Sequence, residues 1–171
     1  MIKLINGNGQ IGTMLCEKVK SFFTKENTYI YHTWNIEDKS EKSQNREYCK
    51  FVNFVEKNKD NRIIFISTTS QKESSYVKYK QMSESFLLQN SENCLVLRLP
   101  TLVGKGVFYD FRDGNKEPFG EMSIATIPQA CSFIVENINY KGLCKVKSLA
   151  GHKIDAKLVY ELVRLWKKFG L

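Results

Sequence analysis

The sequence predicts an α/β fold in which a parallel sheet carries helices on both faces. Two observations point there. Short apolar runs alternate with segments of helical period from one end of the chain to the other. One of those runs, Ile63-Ile64-Phe65-Ile66, is continuously apolar, as strands are when a parallel sheet is covered on both sides, and Cys94 to Leu99 reads as another buried strand. The 171 residues fit one domain over 1–171, and 42% hydrophobic with 26% charged residues is the composition of an ordinary globular core and surface.

Taken in order, Ile2 to Ile5 reads as a strand ending in Asn6-Gly7-Asn8-Gly9-Gln10-Ile11-Gly12. Ile11, Leu15, Val19, Phe22 and Phe23 then recur at helical spacing. Tyr29 to Trp34 is rich in β-formers and reads as a second strand, followed by a polar loop over 35–45. Tyr48, Phe51, Val52 and Val55 mark a helix that ends at Asn58 to Asn61. The strand Arg62 to Ser67 leads to a helix with Tyr79, Met82 and Phe86 on one stripe, and Cys94 to Leu99 is a strand stopped by Pro100. Residues 101–126 read as irregular, turning at Gly104, Gly106, Gly114 and Gly120. A helix starts near Pro128 and runs to about Asn137, because proline suits a first helical turn. Leu143 to Val146 is a short strand. Asp155 caps a last helix whose expected core face is Leu158, Val159, Leu162, Leu165, Trp166 and Phe169, closed by Gly170. Every crossover is expected to be right-handed.

Composition excludes several classes of function. No apolar run approaches the ~20 residues of a membrane span, so no membrane partner is expected. The N-terminus runs straight into the glycine turn and reads as neither signal nor transit peptide. The net charge is +8, but the lysines are spread along the chain with no basic block beyond Lys167-Lys168, so no nucleic-acid partner is expected. A basic surface does favour anionic small molecules. Five cysteines, an odd number without a CxxC pair, read as free thiols in a reducing cytoplasm. His32 and His152 lack a second ligand at helical spacing, and no metal site is expected.

Two motifs carry chemistry. Gly7-x-Gly9-x-x-Gly12 lies between a strand and a helix, the context a dinucleotide fingerprint requires. Its glycines permit a tight turn, a close approach of pyrophosphate and close helix–strand packing, and the helix N-terminus offers free N–H groups. The same residues also suit a plain strand-to-helix turn, or a hairpin turn at Asn8-Gly9. The acidic or basic residue that should follow the second strand is missing: that strand ends His32-Thr33-Trp34-Asn35, and Glu37 and Asp38 lie beyond it. The second motif, Tyr76-x-x-x-Lys80 with Glu84 four further on, puts three polar groups on one helical face after a strand ending Ser67-Thr68-Thr69. An ammonium beside a phenol lowers its pKa from about 10 and readies it for proton exchange with a substrate hydroxyl. Read blandly, Lys80 and Glu84 form a surface ion pair.

The succession of glycine turn, strand-Ser-Thr, YxxxK with a following Glu, then Leu95-Val96-Leu97-Arg98-Leu99-Pro100 and Val103-Gly104-Lys105-Gly106, resembles the extended short-chain dehydrogenase/reductases. The resemblance is strongest to nucleotide-sugar epimerases and dehydratases and to dTDP-4-dehydrorhamnose reductases, whose GQ[VIL]G is matched by Gly9-Gln10-Ile11-Gly12. It implies a Rossmann-like fold, shortened here, with NAD or NADP as cofactor, a nucleotide-sugar or other small-molecule substrate, and a place in polysaccharide biosynthesis. It implies Tyr76 as acid/base, Lys80 as its partner and Thr68 as hydroxyl donor, with Thr69 or Ser67 if the register slips. Gly7, Gly9, Gln10, Ile11 and Gly12 would line the pyrophosphate, and Pro100 and Thr101 the nicotinamide end. It also implies a homodimer through the helices at 45–57 and 76–90. The chain departs from the family in three ways. It has one residue fewer between its first two glycines. It lacks two strands before Tyr29–Trp34, the segment that resembles a strand end reading H-L-A. Only eight residues take the chain from Thr68 to Tyr76. These departures predict weak or absent dinucleotide binding, and they leave two functions open: a sugar-modifying enzyme, or a catalytically inactive relative acting as a binding or regulatory subunit.

Overall fold

A computed structural model describes residues 1–5, 9–20, 22, 27–104, 106–140 and 144–169. Asn6, Gly7, Asn8, Phe23, Lys105, Leu143 and Gly170, named above, lie outside the described residues. The elements are β1 (Ile2–Ile5), α1 (Gln10–Val19), β2 (Thr28–Tyr31), α2 (Glu41–Asn58), β3 (Arg62–Thr68), α3 (Ser75–Asn90), β4 (Cys94–Leu99), β5 (Thr101–Leu102), α4 (Val107–Asp113), β6 (Glu121–Ala125), α5 (Ile127–Ile138), β7 (Lys145–Ser148), β8 (His152–Asp155) and α6 (Ala156–Phe169).

Five parallel strands form the main sheet in the order β1-β2-β3-β4-β7. Successive side chains of a strand point to opposite faces, so the apolar run in β3 feeds two cores. On one face Ile64 and Ile66 join Ile30, Leu95 and Leu97 beneath Leu15 and Val19 of α1 and Ala130, Cys131, Ile134 and Ile138 of α5. On the other, Ile63 and Phe65 join Tyr31 and Val96 against Phe51 and Val55 of α2 and Leu87 of α3. This is the parallel sheet with helices on both faces that the alternation of strands and helices predicts.

Three expectations about the sheet need correction. Ile2–Ile5 and Ile63–Ile66, short apolar runs that each lead into a candidate functional turn, predict adjacent central strands. They share a parallel sheet, but β2 lies between them and β1 is at the edge. The strand order also rises monotonically along the chain while α1 and α2 lie on opposite faces. Two crossovers that step the same way over opposite faces have opposite hands, so they cannot all be right-handed. If β2-α2-β3 and β3-α3-β4, which share a face, follow the usual right-handed rule, β1-α1-β2 is left-handed. Third, the segment 35–45 is not all loop. α2 begins at Glu41, capped by Ser40, whose side chain accepts the N–H of Ser43.

Residues 101–126 are not irregular. β5 pairs with β6 in parallel, and β6 with β8 antiparallel, in a second, three-stranded sheet. With α4 and α6 it encloses a small core of Phe108, Phe111, Val159 and Val163. The face of α6 that packs inward is therefore Ala156, Val159 and Val163. The other five residues expected in that core, Leu158, Leu162, Leu165, Trp166 and Phe169, are 46% to 67% exposed. Among the described residues no helix is long and apolar enough to cross a membrane.

Candidate functional site

All five main-sheet strands end at one carboxyl edge, where open α/β sheets bind ligands. The Thr69 N–H donates to the Leu99 carbonyl at 2.9 Å, which ties the end of β3 to that of β4. Thr68 Oγ1 accepts the N–H of Ser70 at 3.1 Å. Ser74 caps α3 by accepting the Val77 N–H at 3.2 Å, which sets Tyr76 in the helix's first turn beside the end of β3. The Tyr76 phenol lies beside the Thr68 side chain. Burial pushes that phenol up to about 12, and the neighbouring Thr68 pulls the other way. Thr68 and Tyr76 are thus brought together. Ser67, the alternative in a slipped register, is buried in β3 and its Oγ makes no hydrogen bond.

Lys80 is placed elsewhere. Its side chain runs inward, 3% exposed, and Nζ donates to the Ile66 carbonyl at 2.8 Å. The ammonium lies 4.4 Å from the Trp34 ring centroid and 4.6 Å from that of Phe65. Burial drives its pKa down to about 7, against the opposing influence of Glu84 and Glu47. Trp34 is fixed in turn: its Nε1 donates to Gln44 Oε1 at 2.7 Å. The Gln44 side chain is fully buried and donates to the carbonyls of Asn35 at 2.9 Å and Asp38 at 2.6 Å. The segment after β2 is thereby folded over the lysine.

Three acidic residues near this edge, Glu84, Glu37 and Asp38, have structural partners. Glu84 does not pair with Lys80. It lies buried and takes a two-pronged bond from Arg98 of β4, with Nε 3.1 Å from Oε1 and 3.0 Å from Oε2. Glu37 and Asp38 give their N–H groups to Asn35 Oδ1, at 3.0 and 3.1 Å, and Asp38 Oδ1 accepts the Ser40 N–H at 2.9 Å. Those acids build the approach to α2. His32 Nε2 is buried without a hydrogen bond, and burial followed by nearby Lys80 holds the imidazole below its usual pKa.

At the glycine turn, Gly9 precedes α1 with no side-chain cap, and no acidic residue occupies the helix's first turn. Among the described residues, a Cβ added at Gly9 would meet nothing within 4 Å. Gly12 is buried within α1, and the Ile11 carbonyl accepts from Cys131 Sγ of α5 at 3.8 Å. The Gln10 side chain reaches Gly104, where a Cβ would come within 2.0 Å of Oε1. That amide is the end of a flexible side chain and can move aside, but Gly104 also has φ +150°, which favours glycine by itself. Pro100 is buried, and Thr101 opens β5 opposite Ile124.

These residues fit one part of a dinucleotide and not another. The start of α1, with no side-chain cap and no acidic residue in its first turn, suits a phosphate. The nicotinamide end does not fit. The ammonium that should border it is enclosed by two aromatic rings, and the phenol's pKa is raised instead of lowered. Trp34, Gln44 and Arg98 were missed in the sequence. The one available signal was a tryptophan where the resembling strand end carries a small residue.

No family model matches this chain, and no curated protein matches its sequence. Solved structures do share its fold. UDP-N-acetylglucosamine 4-epimerase from Bacillus cereus superposes with a TM-score of 0.71 at 10% identity, over 99% of this chain and 81% of that one. A dTDP-4-dehydrorhamnose reductase from Clostridium acetobutylicum gives 0.70 at 13% identity, over 99% and 80%. The Bordetella bronchiseptica enzyme WbmG, solved with NAD and UDP, gives 0.69 at 12% identity, over 98% and 78%. The chain therefore has the Rossmann-like fold of the sugar-nucleotide enzymes that its motifs resemble.

Proposed function

We propose that this chain is a ligand-binding relative of the NAD(P)-dependent nucleotide-sugar enzymes. It takes the phosphates of a nucleotide or nucleotide-linked sugar at the start of α1 and does not transfer hydride through Tyr76 and Lys80. The observation that carries this reading is the enclosure of Lys80. An ammonium bonded to the Ile66 carbonyl and stacked on Trp34 and Phe65 is not available to a cofactor ribose or to a phenol. Calorimetric titration tests it. UDP or dTDP should bind with micromolar affinity, NAD and NADP far more weakly, and no nucleotide sugar should change the absorbance of a reduced nicotinamide at 340 nm. Turnover abolished by Tyr76→Phe would refute the proposal.

That outcome would favour the second reading, an NAD(P)-dependent epimerase, reductase or dehydratase serving polysaccharide synthesis. The nearness of Thr68 to the Tyr76 phenol is what speaks for it. It requires Lys80 to leave its cage when cofactor binds. Replacing Trp34 with alanine, the residue at the H-L-A end of the resembling strand, should then raise NAD(P) affinity.

A further inference from the structure

The exposed apolar residues of α6 form one seam. Leu158, Leu162, Leu165 and Phe169 follow one another at intervals of four, three and four residues, the spacing by which two helices pack knobs into holes. All four are about half exposed or more, and Trp166 beside them is 46% exposed. The inner side of the helix, Val159 and Val163, is already occupied by Phe108 and Phe111 of α4. A monomer leaves the seam in water.

We propose that this seam is the surface by which two copies of the chain associate, with α6 antiparallel to α6 of the second copy about a two-fold axis. Three features select a second copy as the occupant. The spacing reads the same in both directions, so the antiparallel arrangement sets Leu158 against Phe169 of the second copy and Leu162 against Leu165 of the second copy. Such self-complementarity is what an isologous contact needs. The charges agree as well. Glu161 and Lys168 lie on the same flank of the seam and face each other across the antiparallel pair, twice by symmetry. Other basic groups of α6 point away from it: Lys167 donates to the Arg112 carbonyl at 3.2 Å, and Arg164 lies 5.5 Å from the Tyr160 ring centroid. The third feature is size. Five large side chains at these exposures present roughly 500 Å² per copy, and the pair together reaches the ~1,000 Å² expected of a stable interface.

This relocates the dimer implied by the family resemblance. Among the described residues the outer faces of α2 and α3 expose one large apolar side chain, Met82 at 38%, and the groove between them is lined by Tyr48 and Phe86 as well as by Lys78, Gln81, Ser85 and Gln89.

Sedimentation equilibrium at micromolar concentration tests the proposal. The intact chain should sediment at twice its 19.8 kDa. The variant Leu162→Glu/Leu165→Glu should sediment at the monomer mass with unchanged circular dichroism, and Met82→Glu should remain dimeric. Glu161→Lys should weaken association about tenfold, and Glu161→Lys/Lys168→Glu should restore it, since opposed like charges become opposed unlike charges again. The double charge exchange keeps the test decisive if the glutamate variant folds poorly. A monomeric wild type overturns the proposal, as does a dimer dissolved by Met82→Glu and not by the α6 changes. Co-sedimentation of a monomeric wild type with phosphatidylserine vesicles, lost in Leu162→Glu/Leu165→Glu, would assign the seam to a membrane surface instead.

Discussion

An ammonium withdrawn from water must recover its lost hydration from fixed dipoles, and Lys80 has one carbonyl and two ring faces for the purpose. Its pKa of about 7 records how incompletely they do so. Between that value and the ordinary 10.5 the unfolded chain binds more protons than the native one, so stability rises with pH across this window. The cost of charging Lys80 is present in full below pH 7. Lys80→Met should therefore melt above the wild type at pH 6 in a calorimetric scan, with the gap closing as pH approaches 10. A lower melting temperature at pH 6 would contradict the argument. Arg98 makes a complementary case. Replacing it with Met leaves the buried Glu84 carboxylate without its two-pronged partner and should cost roughly 3 kcal/mol in urea denaturation. The spacing of Tyr76, Lys80 and Glu84 was plain in the sequence, and so was the common face it implies. What spacing could not reveal is the direction each side chain takes at its tip. Trp34, from the segment after β2, decides it for Lys80, and Arg98 of β4 decides it for Glu84.

Elements differ in how far local chemistry determines them. α5 opens with a reciprocal cap: the Thr126 side chain accepts the Gln129 N–H at 3.3 Å and Gln129 Oε1 accepts the Thr126 N–H at 2.8 Å. Thr126→Ala should cost about 1 kcal/mol, read as a shift in denaturation midpoint at constant slope. The small sheet rests on close contact instead. A Cβ at Gly151 would lie 2.3 Å from Ser123 Oγ and 2.8 Å from the Ile124 carbonyl oxygen, backbone that cannot yield. Gly151→Ala should therefore part β6 from β8 and lower the melting temperature by several degrees, about what 1–2 kcal/mol does in a domain of this size. The strands of this sheet escaped the sequence because they are two to five residues long and alternate too briefly to stand out from turns. The opposite difficulty arises in α6. Its period was unmistakable, but its apolar arc is wider than one small core can cover, and a pattern alone does not say which part of such an arc turns inward.

At the scale of the whole molecule, the doubly wound sheet of the resembling family is centred near its first strand, with others on either side. Here β1 has a neighbour on one side only, and its contact with β2 is four residues long. Hydrogen exchange should show residues 2–19 opening well before β3 and β4, whose pairing is longer and buried on both faces. Equal protection across the sheet would show that α1, lodged against α5, holds the edge shut. Alternation of strands and helices made the sheet legible in the sequence, and the missing acidic residue after the second strand hinted at its shortening. The order of strands was not legible, because it depends on which helix covers which face. That order has a consequence for how the chain comes to be folded. Each main-sheet strand lies beside the one synthesised before it, apart from the small sheet interposed ahead of β7. As the polypeptide leaves the ribosome, every strand up to β4 finds its neighbour already made, and none must be held open for a later arrival. Assembly can proceed by addition at a growing edge through contacts that are near in sequence, the condition under which domains fold fastest and expose unpaired strands for the shortest time.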